Sequence, residues 1–321
     1  MPLDLTGNGF NRKPKEMSEE VSSRPNSRPQ ENNQVAWVTT TPKYQMSDLI
    51  LEEPTREALL DATSFYAHQE KLMDDWGLRE RFSDRCNISI NLYGEPGTGK
   101  TMAAHAIAFE LGKEILFVDY AEIESKYVGE TAKNIKQLFE TAEMLDAVIV
   151  FDEADALLSK RVTDMRSSTD VSVNQTRSVL LNILNDYCGV VIFTTNFIQN
   201  FDPAFIRRIR YQIKFDLPNE ELRRSLWKLY IPKQLPTNLD FDNIAKKYDG
   251  ISGSDIANAV FSAATKAARA NCDVVDGRFF EEAIEQIIKA KKANKGTTET
   301  ITKRVVSEEY VKEQLGVKEI K

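Results

Sequence analysis

Asn87-Ile88-Ser89-Ile90-Asn91-Leu92-Tyr93, followed at once by Gly94-Glu95-Pro96-Gly97-Thr98-Gly99-Lys100-Thr101, is the stretch on which the fold turns. Asn87 to Tyr93 reads as a β-strand, and Gly94 to Thr101 fits the pattern GxxxxGK[ST]. Met102 to Leu111 then reads as a helix with Ala103, Ile107 and Leu111 on one face. Strand, glycine-rich loop and helix in that order make a phosphate cradle. Glycines let backbone N–H groups turn inward toward phosphate oxygens, and the helix N-terminus adds its positive end. Lys100 is placed to reach the β- and γ-phosphates of ATP, and Thr101 to offer its hydroxyl to Mg²⁺. A flexible glycine turn is the plain alternative, and the flanking strand and helix argue against it.

Working outward, strands and helices alternate. Ile115 to Val118 is a second strand, and Thr131 to Met144 is a helix with Ile135, Leu138, Phe139 and Ala142 at i, i+3, i+4 and i+7. Ala147 to Phe151 is an unbroken apolar run of strand length, as expected where helices cover both faces of a sheet. Val190 to Thr194 and Tyr211 to Phe215 are further strands, and the alternation predicts a mostly parallel α/β sheet. After Leu217-Pro218 the strand patterns stop. Glu220 to Tyr230, Phe241 to Tyr248, Asp255 to Ala270 and Arg278 to Lys292 read as helices of a small second domain. Before the first strand, Asp48 to Gly77 is helical in pattern, with Leu59, Leu60, Phe65, Tyr66 and Leu72 at near-helical spacing.

The expected organisation is therefore a tail over 1–45, an α/β domain over 46–217, a helical domain over 218–295 and a polar tail over 296–321. Residues 1 to about 35 are rich in Asn, Ser, Pro, Glu and Arg, and bury too little apolar surface to offset their ordering entropy. The last stretch carries at most one weak helix, around Glu308 to Leu315.

Over 321 residues the formal net charge is -7, which disfavours a nonspecific nucleic-acid binder. Cys86, Cys188 and Cys272 show no metal or disulfide spacing and read as buried small hydrophobes in a reducing compartment. His68 and His105 are the only histidines, with no HExxH and no Cys/His cluster, so no protein-held zinc is expected. Neither an apolar leader core nor a membrane-length apolar run is present, so the expected setting is the cytosol, away from membranes.

Val148-Ile149-Val150-Phe151-Asp152-Glu153 is a buried strand ending in two carboxylates, which places them at the sheet's carboxyl edge. Asp152 suits the outer shell of the metal. Glu153 suits polarising an attacking water. Asn196, after the strand Val190 to Thr195, is placed to orient water or sense the γ-phosphate; a turn-forming Asn is its plain alternative.

The order and spacing of GEPGTGKT, VIVFDEAD, FTTN and FDPAFIRRIRYQIKFDLPN resemble the AAA family of ATPases, in its protein-remodelling branch. The resemblance spans roughly Met46 to Lys292. It implies a P-loop αβα sandwich with a five-stranded parallel sheet in the order 5-1-4-3-2, a helical lid, and a ring, usually of six like subunits, with ATP at their interfaces. By the same resemblance Gly94 to Thr101 and the adjoining Met102 bind the nucleotide, and Asn196 is the first sensor. Arg207 and Arg210 are interface arginines donated to a neighbour. Arg208-Ile209 stands where the family has Pro-Gly, which leaves open which of the three arginines faces the phosphate.

Lys126-Tyr127-Val128-Gly129 resembles the family's pore loop, where an aromatic beside an apolar residue grips extended peptide; a core tyrosine before a helix is the plain reading. Gly250-Ile251-Ser252-Gly253-Ser254-Asp255 resembles the lid motif GxSGAD, with Gly253 approaching the adenine and ribose, and Asp48-Leu49-Ile50 corresponds to the adenine-side entry segment. Lys289, Lys291, Lys292 and Lys295 read as a solvated helix end. The expected function is an ATP-driven ring that unfolds, threads or disassembles a protein client, delivered directly or by an adaptor. An ATP-gated scaffold or loader that releases a partner on hydrolysis is the alternative.

Overall fold

The run Val148–Phe151 forms a strand buried on both faces. Val148 and Val150 point into one apolar cluster, while Ile149 and Phe151 point into another, as the period of two along a strand requires. The computed structural model describes residues 37–82, 88–118, 130–159, 168–196 and 201–294. Its strands are β1 (Thr39–Thr40), β2 (Ile88–Gly94), β3 (Ile115–Val118), β4 (Val148–Phe151), β5 (Val190–Thr195) and β6 (Tyr211–Phe215). Among the described residues the α-helices are α1 (Glu53–Ala67), α2 (Lys100–Glu110), α3 (Glu130–Met144), α4 (Asp155–Leu158), α5 (Ser168–Asp186), α6 (Pro203–Ile206), α7 (Glu220–Tyr230), α8 (Phe241–Lys247), α9 (Gly253–Arg269) and α10 (Gly277–Asn294).

The sheet runs β1-β3-β4-β5-β2-β6. From β3 to β6 every pairing is parallel, with Ile90 opposite Ile192 and Leu92 opposite Ile213. That is the implied order 5-1-4-3-2 with one correction: a sixth strand, β1, joins antiparallel at the β3 edge, pairing Thr39 with Leu116 and Thr40 with Ile115. Two threonines are too short a run to show any periodicity, but they are β-branched and cover a sheet edge. The chain is thus in regular structure at Thr39, inside the expected 1–45 tail.

Helices α1 and α2 cover one face. The Ala-rich α2 packs Ala103, Ala104, Ala106, Ile107 and Ala108 close to the strands, with Leu59 and Ala62 of α1 alongside; Leu60 and Tyr66 are exposed. The other face lies under α3, through Ile135, Leu138, Phe139 and Ala142, and α5, through Leu180, Leu181 and Leu184. A third cluster, centred on Trp227 and Phe280 packed edge-to-face at 6.0 Å, unites α7 to α10. Side-chain caps begin three of the shorter helices: Asp202 accepts from Ala204 N, Asn219 from Leu222 N, and Asp240 from Asp242 N and Asn243 N.

Neither described cysteine is the buried small hydrophobe expected of it. Cys272 is a free, exposed thiol, and Cys188 is exposed and disulfide-bonded. Lys126, Tyr127, Val128 and Gly129, which resemble a pore loop, and the segment from Glu308 to Leu315 lie outside the described residues. Among those described, no helix is long and apolar enough to cross a membrane.

Candidate functional site

The carboxyl ends of β2, β4 and β5 meet at one edge of the sheet and bring together the loop Gly94–Gly99, the pair Asp152-Glu153 and the residues Thr194 to Asn196. Gly94 ends β2 with φ +146°, and a Cβ there would lie 2.0 Å from the Phe215 carbonyl oxygen, so the pairing of β2 with β6 demands glycine. Gly99 then caps α2 in the left-handed region, and its carbonyl receives Ala103 N–H at 2.9 Å. Lys100 opens the helix almost fully buried. Its ammonium donates to the carbonyls of Gly94 and Glu95, each at 2.9 Å, and Thr98 Oγ1 donates to the Glu95 carbonyl at 2.8 Å. Burial pulls the Lys100 pKa below its ordinary value, and the carboxylates of Asp155, Asp152, Glu95 and Glu153 oppose that pull. Thr101 Oγ1 donates to Asp152 Oδ1 at 3.1 Å, which joins the loop to the end of β4.

Glu153 is exposed and takes a left-handed backbone with φ +50°, a conformation that costs a non-glycine residue roughly 1–2 kcal/mol. Its amide donates to Thr194 Oγ1 at 3.1 Å, and Ala154 N–H donates to the Thr194 carbonyl at 2.8 Å. The Thr194 hydroxyl in turn donates to Asp152 Oδ1. One residue on, the Thr195 hydroxyl and the Asn196 amide both reach Asp155 Oδ1, the latter at 3.2 Å. Asp155, Thr194 and Thr195 hold no role that the sequence motifs assign. The signal lay in two polar residues closing an otherwise apolar strand opposite DEAD.

A cleft of about 360 Å³ opens over this edge, a volume suited to a small ligand. Its lining includes Pro96 to Met102, Asp152, Glu153, Thr194 and Asn196 on the phosphate side. Asp48 to Glu52, Leu226, Tyr230, Gly253 and Ser254 form the opposite wall. Asp48 accepts Gln45 N–H at 2.8 Å and closes the short turn Met46–Asp48, so its carboxylate is already occupied within its own segment.

The tight approach between α9 and the loop is at Gly97, not Gly253. A Cβ on Gly97, where φ is +77°, would lie 2.7 Å from Ser252 Oγ and 2.9 Å from Ser254 Cβ, whereas one on Gly253 meets its nearest neighbour at 3.5 Å. Ser254 N–H donates to the Gly97 carbonyl at 3.2 Å. Lys291, expected at a solvated helix end, instead pairs with Asp255 of the Ser252 capping box.

The arginine segment is fastened to β2 and to the core. Ser89, fully buried, donates its hydroxyl to the Arg208 carbonyl at 2.9 Å and accepts Arg210 N–H at 3.1 Å. Phe205 and Ile209 are buried, which accounts for an apolar residue where the resembled motif has glycine. Arg208 donates to Asn185 Oδ1 at 2.8 Å and to the Ala204 carbonyl at 3.0 Å. Arg210 lies over the Phe65 ring at 4.4 Å, a cation–π contact. Arg207 is exposed, and neither Arg207 nor Arg210 is among the described residues lining the cleft.

The model of the ATPase family associated with various cellular activities (AAA) matches residues 90–219, and that of the AAA+ lid domain matches residues 238–282. The chain belongs to the AAA family of ATPases. Among relatives of this AAA ATPase, 26S proteasome subunit RPT4 of Saccharomyces cerevisiae is 32% identical over 218 residues, covering 65% of this chain and 49% of the relative. The 26S proteasome regulatory subunit S10B homolog B of Arabidopsis thaliana is 36% identical over 213 residues, 63% of this chain and 53% of the relative. ATP-dependent zinc metalloprotease FtsH of Mycobacterium tuberculosis (strain ATCC 25618 / H37Rv) is 32% identical over 206 residues, 62% of this chain and 27% of the relative. The AAA ATPase thus spans about half the length of the proteasome relatives and about a quarter of the metalloprotease.

Proposed function

We propose that this AAA ATPase works as a subunit of a homohexameric ring that hydrolyses ATP to remodel a protein client by drawing it through a central pore. In this reading residues 46–217 carry the ATP site and 218–295 form the lid. ATP lies in the cleft with its phosphates along Gly94 to Thr101, where phosphate oxygens replace the Gly94 and Glu95 carbonyls as acceptors for Lys100. Thr101 and Asp152, whose oxygens lie 3.1 Å apart, are hard oxygen donors that fit Mg²⁺ and would hold it. When bound, the cation neutralises charge across the β- and γ-phosphates. Glu153 accepts a proton from the attacking water, and Asn196 orients that water. Names of the matched relatives, a proteasome and a metalloprotease, favour a protein client, and the net charge of -7 argues against nucleic acid.

The observation that carries the shared-site reading is the disposition of the three arginines. Arg208 and Arg210 are each engaged within the chain, whereas Arg207 is exposed and outside the cleft of its own subunit. Arg207 therefore serves the γ-phosphate of a neighbour. Arg207→Ala is expected to lower kcat by about three orders of magnitude while ATP affinity holds, as measured by steady-state hydrolysis beside direct nucleotide titration. Wild-type kcat in that variant would return Arg208 or Arg210 to the role. Threading is tested separately. Tyr127→Ala is expected to abolish client unfolding with ATP turnover retained, and equal loss of both would refute threading by that loop.

A further inference from the structure

Thr194, next to last in β5, is 2% exposed, where a valine would pack as well and propagate a strand better. Its hydrogen bonds run not along its own strand but across to the dipeptide Asp152-Glu153. The hydroxyl donates to Asp152 Oδ1, the same oxygen that Thr101 Oγ1 reaches at 3.1 Å. The same hydroxyl accepts Glu153 N–H at 3.1 Å, and the Thr194 carbonyl accepts Ala154 N–H at 2.8 Å. A single side chain thus touches both carboxylate residues of the cleft.

We propose that Thr194 is a positioning residue for hydrolysis, orienting Asp152 through its hydroxyl proton and holding Glu153 in its left-handed backbone through its hydroxyl lone pair. The inference rests on the reading of Glu153 as the base and Asp152 as the metal's carboxylate. Glu153 adopts φ +50° with no glycine or asparagine to favour it, so acceptors for the two amides that follow Asp152 must hold the turn. Thr194 supplies both. Being β-branched in a strand, it has little rotamer freedom, so the geometry is set before any ligand arrives. Without the hydroxyl, the Glu153 amide loses its acceptor and Asp152 Oδ1 keeps only the Thr101 hydroxyl of these two donors. Both carboxylates then drift from the water and the cation, while the phosphate loop is untouched.

Thr194→Val and Thr194→Ser test this together, with kcat and with ATP affinity measured in EDTA and in Mg²⁺. Thr194→Val is expected to lower kcat by about ten- to a hundredfold and to weaken the Mg²⁺-dependent gain in ATP affinity, with affinity in EDTA unchanged. Thr194→Ser is expected to restore both. Wild-type turnover in Thr194→Val, or equal loss in Thr194→Ser, would overturn the proposal, the latter because shape rather than the hydroxyl would then matter. Should Thr194→Val fail to fold, amide exchange in the wild type decides: slow exchange at Glu153 is expected, and exchange at the rate of an open loop would overturn it. A wild-type protein without any ATP turnover would refute the hydrolysis reading instead, and the Glu153 exchange rate would still judge Thr194.

Discussion

Glu153→Gln is expected to cut ATP turnover by about two to four orders of magnitude while leaving ATP bound. The substitution keeps the size of the side chain and its backbone amide, so the hydrogen bond to Thr194 Oγ1 at 3.1 Å and the φ of +50° are preserved. What is lost is a carboxylate able to take a proton from water. Nothing in the loop Gly94 to Thr101 changes, and Lys100 retains its acceptors at 2.9 Å. The check is a single-turnover assay beside equilibrium ATP titration: hydrolysis should stall with affinity at or above that of the wild type. A ring held in its ATP state should also retain its client, so a pull-down with this variant is the route to the client's identity. Turnover close to wild type would remove Glu153 from the role of base.

Lys100→Ala acts one step earlier. The ammonium is buried and serves two backbone carbonyls, so its removal strips the loop of the cation that meets the β- and γ-phosphates. Losing charge-assisted hydrogen bonds to a phosphate is worth about 3 kcal/mol or more, which is roughly a hundredfold in affinity. The melting temperature should change little, because burial already disfavours the charged lysine and alanine is the best helix former at the start of α2. Calorimetric titration is therefore expected to show ATP binding lost in a folded protein. Retained affinity would overturn the placing of the nucleotide.

The sheet was legible because its strands are apolar runs with abrupt ends. Val148–Phe151 has no polar residue to confuse the period, and the loop after β2 carries its own glycine signature. Helix α5 was not legible. It opens Ser168-Thr169-Asp170-Val171-Ser172-Val173, residues with poor helix propensity, and only its second half carries the apolar face of Leu180, Leu181 and Leu184. Strand β1 escaped because two residues have no pattern. In the site, the meeting of Lys100, Asp152 and Glu153 in one cleft was legible, since each belongs to a short contiguous motif at the end of a strand.

Ser89 could not be read this way, and Thr194 and Asp155 left only the faint signal of polar residues beside an apolar run, because their contacts depend on partners across the sheet. Ser89 is a polar residue between Ile88 and Ile90, and its purpose appears only once β6 brings Arg208 and Arg210 beside it. The same holds for the arginines themselves. Three similar side chains in one turn are distinguished by Asn185 and Phe65, both remote in sequence, and by the Ala204 carbonyl one turn back.

Whether two subunits build each active site is decided by mixing two variants. Lys100→Ala cannot bind ATP but keeps Arg207, and Arg207→Ala binds ATP but cannot supply the arginine. Each alone is expected to be inactive. Co-assembled, with mixed rings verified by native mass spectrometry, they are expected to regain measurable ATP turnover, because an intact loop then faces an intact Arg207. Mixed rings that stay as inactive as either parent, or an Arg207→Ala protein that hydrolyses ATP at the wild-type rate on its own, would contradict the shared site.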